Sequence, residues 1–163
     1  NFTAWQEVEA ALLARELGVN QFICAQDEYS LLVRDVERET IPATQKYGMG
    51  LVPFFPLASG LLTGKYKSGA PGPEGARLTV AKPLADRFMT ERNLALVEKY
   101  RAFAEARGKT LLDLAFAWLL AQPAVPSVIA GATRPDQLDA NVAAVEWKLS
   151  AEDLAEIERL TDE

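Results

Sequence analysis

Met49-Gly-Leu-Val-Pro-Phe-Phe-Pro-Leu-Ala-Ser-Gly-Leu-Leu-Thr-Gly-Lys-Tyr66 joins an apolar strand to a loop that carries two glycines and a lysine. Met49 to Phe54 has the length and the β-branched or aromatic content of a buried strand. Gly60 and Gly64 let backbone approach a ligand closely, and Lys65 sets a positive charge beside them. A strand that exits into such a loop can hold a pyrophosphate, although glycines after a strand also serve plain turns. What stands at the other strand exits therefore decides between the two.

Upstream, Val8, Leu12, Leu13 and Leu17 recur at helical spacing between Thr3 and Leu17, and Gly18 stops the pattern. Gln21 to Gln26 follows as a short apolar strand with Cys24 as a buried small hydrophobe. Thr40 to Tyr47 reads as a short helix that tolerates Pro42 in its first turn. Downstream, the Gly- and Pro-rich stretch Ser68 to Gly75 opens a long loop that becomes regular only near Thr90. Helices are expected over Thr90–Ala106 and Thr110–Ala121, and a short buried strand over Ser127–Ala130. Thr133-Arg-Pro-Asp136 reads as a helix start resembling a capping box, and Ser150 opens a last helix with Leu154, Ile157 and Leu160 inward. Trp5, Trp118 and Trp147 fall on helical patterns as packing residues. Three strands alternating with helices predict an α/β protein with a parallel sheet. A closed (β/α)8 barrel takes about 250 residues, so three strands do not complete one, and an open edge leaves backbone groups unpaired.

The 163 residues, 49% hydrophobic and 25% charged, suit one globular domain or part of one. No apolar run reaches the ~18 residues of a membrane span, and no basic leader precedes an apolar stretch, so neither a membrane nor secretion is indicated. The single Cys24 excludes an internal disulfide or a cysteine-cluster metal site and suits a reducing, cytoplasmic setting. With 17 basic and 23 acidic residues, the net charge of −6 opposes a nucleic-acid partner. The absence of histidine removes a Ser-His-Asp triad and any His-metal site. Acid-base work is left to Tyr, Lys, Asp or Glu. Asp27 and Glu28 are adjacent and point to opposite sides of an extended segment. None of Tyr29, Tyr47, Tyr66 and Tyr100 lies in a pattern with a lysine and a carboxylate. No catalytic or metal-binding residue is therefore singled out. The opening Asn1, in place of methionine, leads to the expectation of a fragment.

Each expected strand exits into polar or glycine-bearing sequence, where a parallel α/β protein keeps its site: Gln26, then Pro56 to Lys65, then Gly131 to Asn141. The helix start after Gly131 offers free N–H groups to an anion with Arg134 beside it, and Gln137 and Asn141, four apart, share a face. An ordinary capped helix with two solvated amides has the same pattern. Phe54, at a strand end, suits stacking on a planar ring as well as a place in the core.

Taken in order, Asn1-Phe2, Gln26-Asp-Glu-Tyr29, Pro56-Leu-Ala-Ser-Gly-Leu-Leu-Thr-Gly-Lys65 and Gly131-Ala-Thr-Arg-Pro-Asp-Gln-Leu-Asp-Ala-Asn141 resemble the C-terminal half of aldo-keto reductases, over essentially the whole chain. The resemblance implies that residues 1–163 are the C-terminal part of a (β/α)8 TIM barrel that binds NADP, the strands being its sixth to eighth. By the same match, Asn1 and Gln26 would hold the nicotinamide carboxamide and Phe54 would stack on its ring. Leu57, Ser59, Gly60 and Leu61 match the loop holding the pyrophosphate, with Lys65 nearby. Gly131, Thr133, Arg134, Gln137 and Asn141 match the segment reading the adenosine and its 2′-phosphate. The family's catalytic Tyr, Lys, Asp and usual His come from the first half of the barrel. The implied protein is the NADPH-binding half of an enzyme reducing aldehydes or ketones to alcohols, inactive alone, whose partner is a missing N-terminal half or a second copy. The alternative is a cofactor-sensing regulatory subunit resembling potassium-channel β subunits; a third reading is a barrel fragment that binds nothing.

Overall fold

The computed structural model of the protein describes residues 1–67 and 69–162; Ser68, at the start of the expected long loop, and Glu163 lie outside the described residues. Along the chain run α1 (Ala4–Leu17), β1 (Cys24–Ala25), α2 (Thr40–Lys46), β2 (Gly50–Leu51), α3 (Arg77–Val80), α4 (Lys82–Phe88), α5 (Glu91–Glu105), α6 (Leu111–Leu120), α7 (Pro135–Ala143) and α8 (Ala151–Asp162).

β1 and β2 pair in parallel, Cys24 against Gly50 and Ala25 against Leu51. Backbone bonds carry the pairing past these short elements: Gly50 N–H to Ile23 O, Val52 N–H to Ala25 O and Phe54 N–H to Asp27 O, each 2.9 Å. Because the segments run the same way, Gln26 and Phe54 leave the sheet at one end. The chain is thus α/β with a two-stranded parallel sheet among the described residues.

The expected third strand, Ser127–Ala130, does not form, and Ser127 and Ile129 are exposed rather than buried. The segment still lies alongside β2, through Leu51 N–H to Ala124 O (2.7 Å) and Ile129 N–H to Pro53 O (2.9 Å). Pro53 and Pro126 have no N–H, so the alternate donors that a continuous ladder needs are missing. Close approach is nevertheless built in: a Cβ on Gly50 would meet the Pro126 ring at 2.8 Å. Gly131 is therefore delivered beside the other two exits without a regular strand.

Three further expectations change. Around α1 the buried residues are Glu7, Ala11 and Ala14, whereas Leu12, Leu13 and Leu17 are exposed, as is Trp5 at 64%. The small alanines let α1 lie close to α2, and the leucines occupy another side of the helix. Cys24 is exposed, as are Phe22 and Ile23, because β1 has β2 on one side and no strand on the other among the described residues. Finally, 77–88 is helical rather than irregular. Leu78 and Phe88, at 2% and 1% exposure, anchor α3 and α4, and the Tyr66 hydroxyl accepts from Leu78 N–H at 3.0 Å.

The core lies among α5, α6 and α8. Val97, Tyr100, Ala104, Leu114, Trp118, Leu119 and Ile157 are almost wholly buried, with Leu154 and Leu160 packed against them. Thr90 caps α5 through Asn93 N–H, and Thr110 and Asp113 form a reciprocal cap on α6. Ser150 and Asp153 do the same for α8. Trp147 stacks with Phe103, centroids 6.4 Å apart. Among the described residues no helix is long and apolar enough to cross a membrane.

Candidate functional site

The loop after β2 is held from below and strained above. Ala58, Leu61 and Leu62 are completely buried, which ties it to the core. Its backbone then takes positive φ at Phe55 (53°), Ala58 (45°), Ser59 (57°) and Gly60 (97°). For an L-residue this conformation costs roughly 1–2 kcal/mol, so three non-glycine residues there represent strain that the surrounding packing must hold. Gly60 avoids that cost and also leaves room: a Cβ there would meet Lys65 Nζ at 3.3 Å. Thr63 closes the turn by donating its hydroxyl to Gly60 O at 2.8 Å. Ser59 Oγ is buried without any hydrogen-bond partner. A hydroxyl taken out of water and left unpaired is unfavourable unless something else occupies it.

Above this loop is a cleft of about 920 Å³, the size range of small-molecule and cofactor sites. Phe54, Leu57, Ser59, Gly60 and Lys65 line one side of it, and Gly131, Thr133, Arg134, Gln137 and Asn141 line the other. Of the residues singled out from the sequence, Leu61 is in the core and does not line the cleft. Its place is consistent with a backbone contribution only.

Thr133 and Gln137 lock together, since Gln137 Oε1 accepts from both Thr133 N–H (2.8 Å) and Thr133 Oγ1 (3.1 Å). The N-cap of α7 is Arg134 rather than Thr133, without a side-chain cap bond. Arg134 lies against Asp136, Nε to Oδ1 at 3.0 Å and Nη2 to Oδ2 at 2.9 Å. The hydrogen bond from Arg134 holds the Asp136 carboxyl below the usual carboxylate range. Lys65, Arg77 and Arg134 are the basic residues of the lining and Glu74 and Asp136 the acidic ones, so an acidic chain presents a locally basic cleft.

Arg77 is a residue that sequence reasoning missed. Its guanidinium lies 5.1 Å from the centre of the Phe55 ring, at the cleft wall. Only the folding of α3 onto Tyr66 brings it there; the sequence signal was no more than a cation at the end of a Gly- and Pro-rich run.

Asn1 and Gln26 are brought together elsewhere. The Asn1 backbone nitrogen donates to Gln26 O at 2.8 Å, and both residues border a smaller hollow of about 240 Å³ with Phe2, Glu7, Cys24 and Met49. Asp27 Oδ2 and Glu7 Oε2 are buried and unpartnered. Burial raises both carboxyls above their ordinary pKa, and Asp27 pushes Glu7 further the same way. Glu28 pairs through Oε2 with Arg87 of α4 at 2.7 Å, while its Oε1 is likewise buried and unpartnered. Tyr29 is fully buried and donates to Glu37 at 2.7 Å; burial, and then Glu37, drive its pKa far above the phenol range. It is therefore held protonated. Among the described residues no group of three or more His, Cys, Asp or Glu side chains could hold a metal ion.

Comparison with known proteins agrees on one family. The model of the aldo/keto reductase family matches residues 1–162. A probable voltage-gated potassium channel subunit beta of Arabidopsis thaliana is 40% identical over 147 residues, 89% of this chain and 45% of its own length. A putative subunit of the same name in Schizosaccharomyces pombe is 36% identical, covering 98% of this chain and 48% of its own length. L-glyceraldehyde 3-phosphate reductase of Escherichia coli O157:H7 is 38% identical over 82% of this chain and 40% of its own length. The chain spans about half the length of these relatives or somewhat less.

Proposed function

The chain belongs to the aldo/keto reductase family, and on that premise we propose that it forms the NADP-binding portion of an oxidoreductase reducing aldehydes or ketones to alcohols. The observation that carries this reading is the cleft between residues 54–65 and 131–141, lined by Ser59 with its unpartnered hydroxyl and by the cations Lys65, Arg77 and Arg134, the last paired with Asp136. That donor set suits a ligand bearing several phosphate oxygens, and its strained, pre-shaped backbone leaves little to reorganise on binding. Ser59, Gly60 and Lys65 would hold the pyrophosphate. Thr133, Arg134, Gln137 and Asn141 would read the adenosine and its 2′-phosphate. When bound, the cofactor supplies hydride; the chain's own residues bind and orient it. Phe54 would face the nicotinamide end, with Asn1 and Gln26 beyond it.

In fold terms, the paired β1 and β2 with Gly131 delivered at their side support the last strands of a (β/α)8 barrel. The proton donor for the substrate carbonyl is proposed to lie outside this chain. Tyr29, Tyr66 and Tyr100 are at most 1% exposed, within the core, where Tyr29 bonds Glu37, Tyr100 bonds Thr161 and Tyr66 accepts from Leu78 N–H. The 163-residue chain alone should bind NADPH without turning over a small carbonyl substrate. An exposed single thiol, Cys24, suits a reducing, cytoplasmic setting. The test has two arms on material of verified mass. Saturable NADPH fluorescence supports the binding reading, and no saturable signal removes it. Steady NADPH oxidation with a panel of aldehydes would refute the inactivity.

Similarity to proteins named as potassium channel β subunits favours a second reading, a cofactor-sensing regulatory subunit. The reading frame immediately upstream of Asn1 would separate them: an intact Asp, Tyr, Lys and His set favours the enzyme, and its loss the sensor.

A further inference from the structure

One side chain holds the carbonyls on both sides of Lys65. Arg101 of α5 donates through Nη1 to Gly64 O and through Nη2 to Tyr66 O, each at 3.2 Å. Its Nε bonds Glu98 Oε2 at 3.2 Å, which fixes the plane of the fork, and the side chain is only 19% exposed. A guanidinium presents its donors in a rigid plane and can span two carbonyls at once, whereas an ammonium is a single point with no fixed geometry. The constraint continues through Tyr66, 1% exposed, whose hydroxyl accepts from Leu78 N–H in α3, next to Arg77. Arg101 thus couples α5 to the strained loop and, through Tyr66, to the far wall of the cleft.

We infer that Arg101 is a positioning residue for phosphate binding. It clamps the backbone of residues 64–66 so that the Lys65 ammonium lies over Gly60, with Nζ 3.3 Å from where a Cβ would be. This rests on the cleft being the pyrophosphate site. The loop needs such a restraint because its positive-φ residues gain by relaxing. Lys65 is itself exposed, so without a fixed base its long side chain samples many positions.

R101K and R101M in the 163-residue chain test this. NADPH carries the pyrophosphate and 2′-AMP lacks it, so titrating both separates the clamp from general damage. We expect R101M to weaken NADPH about tenfold, the scale of one charge-assisted contact, and to leave 2′-AMP within about twofold. Amide hydrogen exchange at 57–66, without ligand, should accelerate in R101M while α6 stays protected. R101K should behave like R101M, since charge alone does not bridge two carbonyls. Wild-type affinity in R101K, unchanged exchange at 57–66, or equal weakening of both ligands overturns the inference while wild type still binds NADPH. A wild-type chain that binds neither ligand refutes the proposed function instead, and this inference falls with it.

Discussion

Ser59→Ala should stabilise the free protein and weaken its cofactor binding. In the folded chain the Ser59 hydroxyl is buried, the residue is 7% exposed, and Oγ has no partner. An unpaired buried hydroxyl costs about 1–3 kcal/mol relative to its hydrated state. Alanine removes that cost and keeps the Cβ packing, and the φ of 57° is equally unfavourable for both residues, so that term cancels. A gain of about 1 kcal/mol is expected, which for a chain of this size raises Tm by roughly 2–4 °C. Under the proposed function the same change also deletes a hydrogen bond to an anionic oxygen of NADPH, worth about 1.5 kcal/mol at the low end, or about tenfold in Kd. Thermal melting without ligand and a fluorescence titration measure the two effects. A lower Tm would mean that the hydroxyl has a partner within the fold. An unchanged Kd would mean that the cofactor does not occupy it. Either result refutes the reasoning.

Under the proposed function, Asp136→Asn should free Arg134 from its paired carboxylate and tighten NADPH by about threefold while leaving NADH unchanged; Arg134→Ala should weaken NADPH and leave NADH unchanged, and parallel titrations with both cofactors check it. Leu114→Ala, at a completely buried site in α6, should cost about 2–5 kcal/mol, read as a lower urea midpoint at constant slope. Glu7→Gln should alter the pH profile of stability. Burial and Asp27 raise Glu7 above its ordinary 4.5. The stability linked to its protonated form is therefore complete below pH 4.5 and is lost as pH rises through the raised folded value. Asp27, raised by burial from 3.8, acts in the same direction. Melting temperatures from pH 4 to 7 should fall less steeply in the variant, and identical profiles would exclude the effect.

The starts and periodicities of α5, α6 and α8 were legible because each depends on residues within one or two turns. Thr90, Thr110 with Asp113, and Ser150 with Asp153 bond to neighbours three positions away. The loop after β2 stood out in the sequence for a similar reason, since its glycines and lysine fall within six residues. Arg77, Arg101 and the helices α3 and α4 were not, since each depends on Tyr66 or the core, far away in sequence. The α1 pattern misled: leucines at helical spacing define an apolar side, yet the buried residues of this helix, which lies against α2, are Glu7, Ala11 and Ala14.

By itself the sequence determined the α/β class, the strand exits carrying polar or glycine-bearing segments, and the order of motifs that identifies the family. These are local or ordinal properties, written in the chain without reference to what packs against what. Only the tertiary structure decided that Phe54 to Lys65 and Gly131 to Asn141 share one cleft while Asn1 and Gln26 border another hollow. It alone left Ser59 unpaired, paired Arg134 with Asp136, and placed Arg101 across the carbonyls beside Lys65. The physical reason is that burial and hydrogen-bond satisfaction belong to groups brought together over tens of residues, whereas spacing and propensity belong to a few turns of chain.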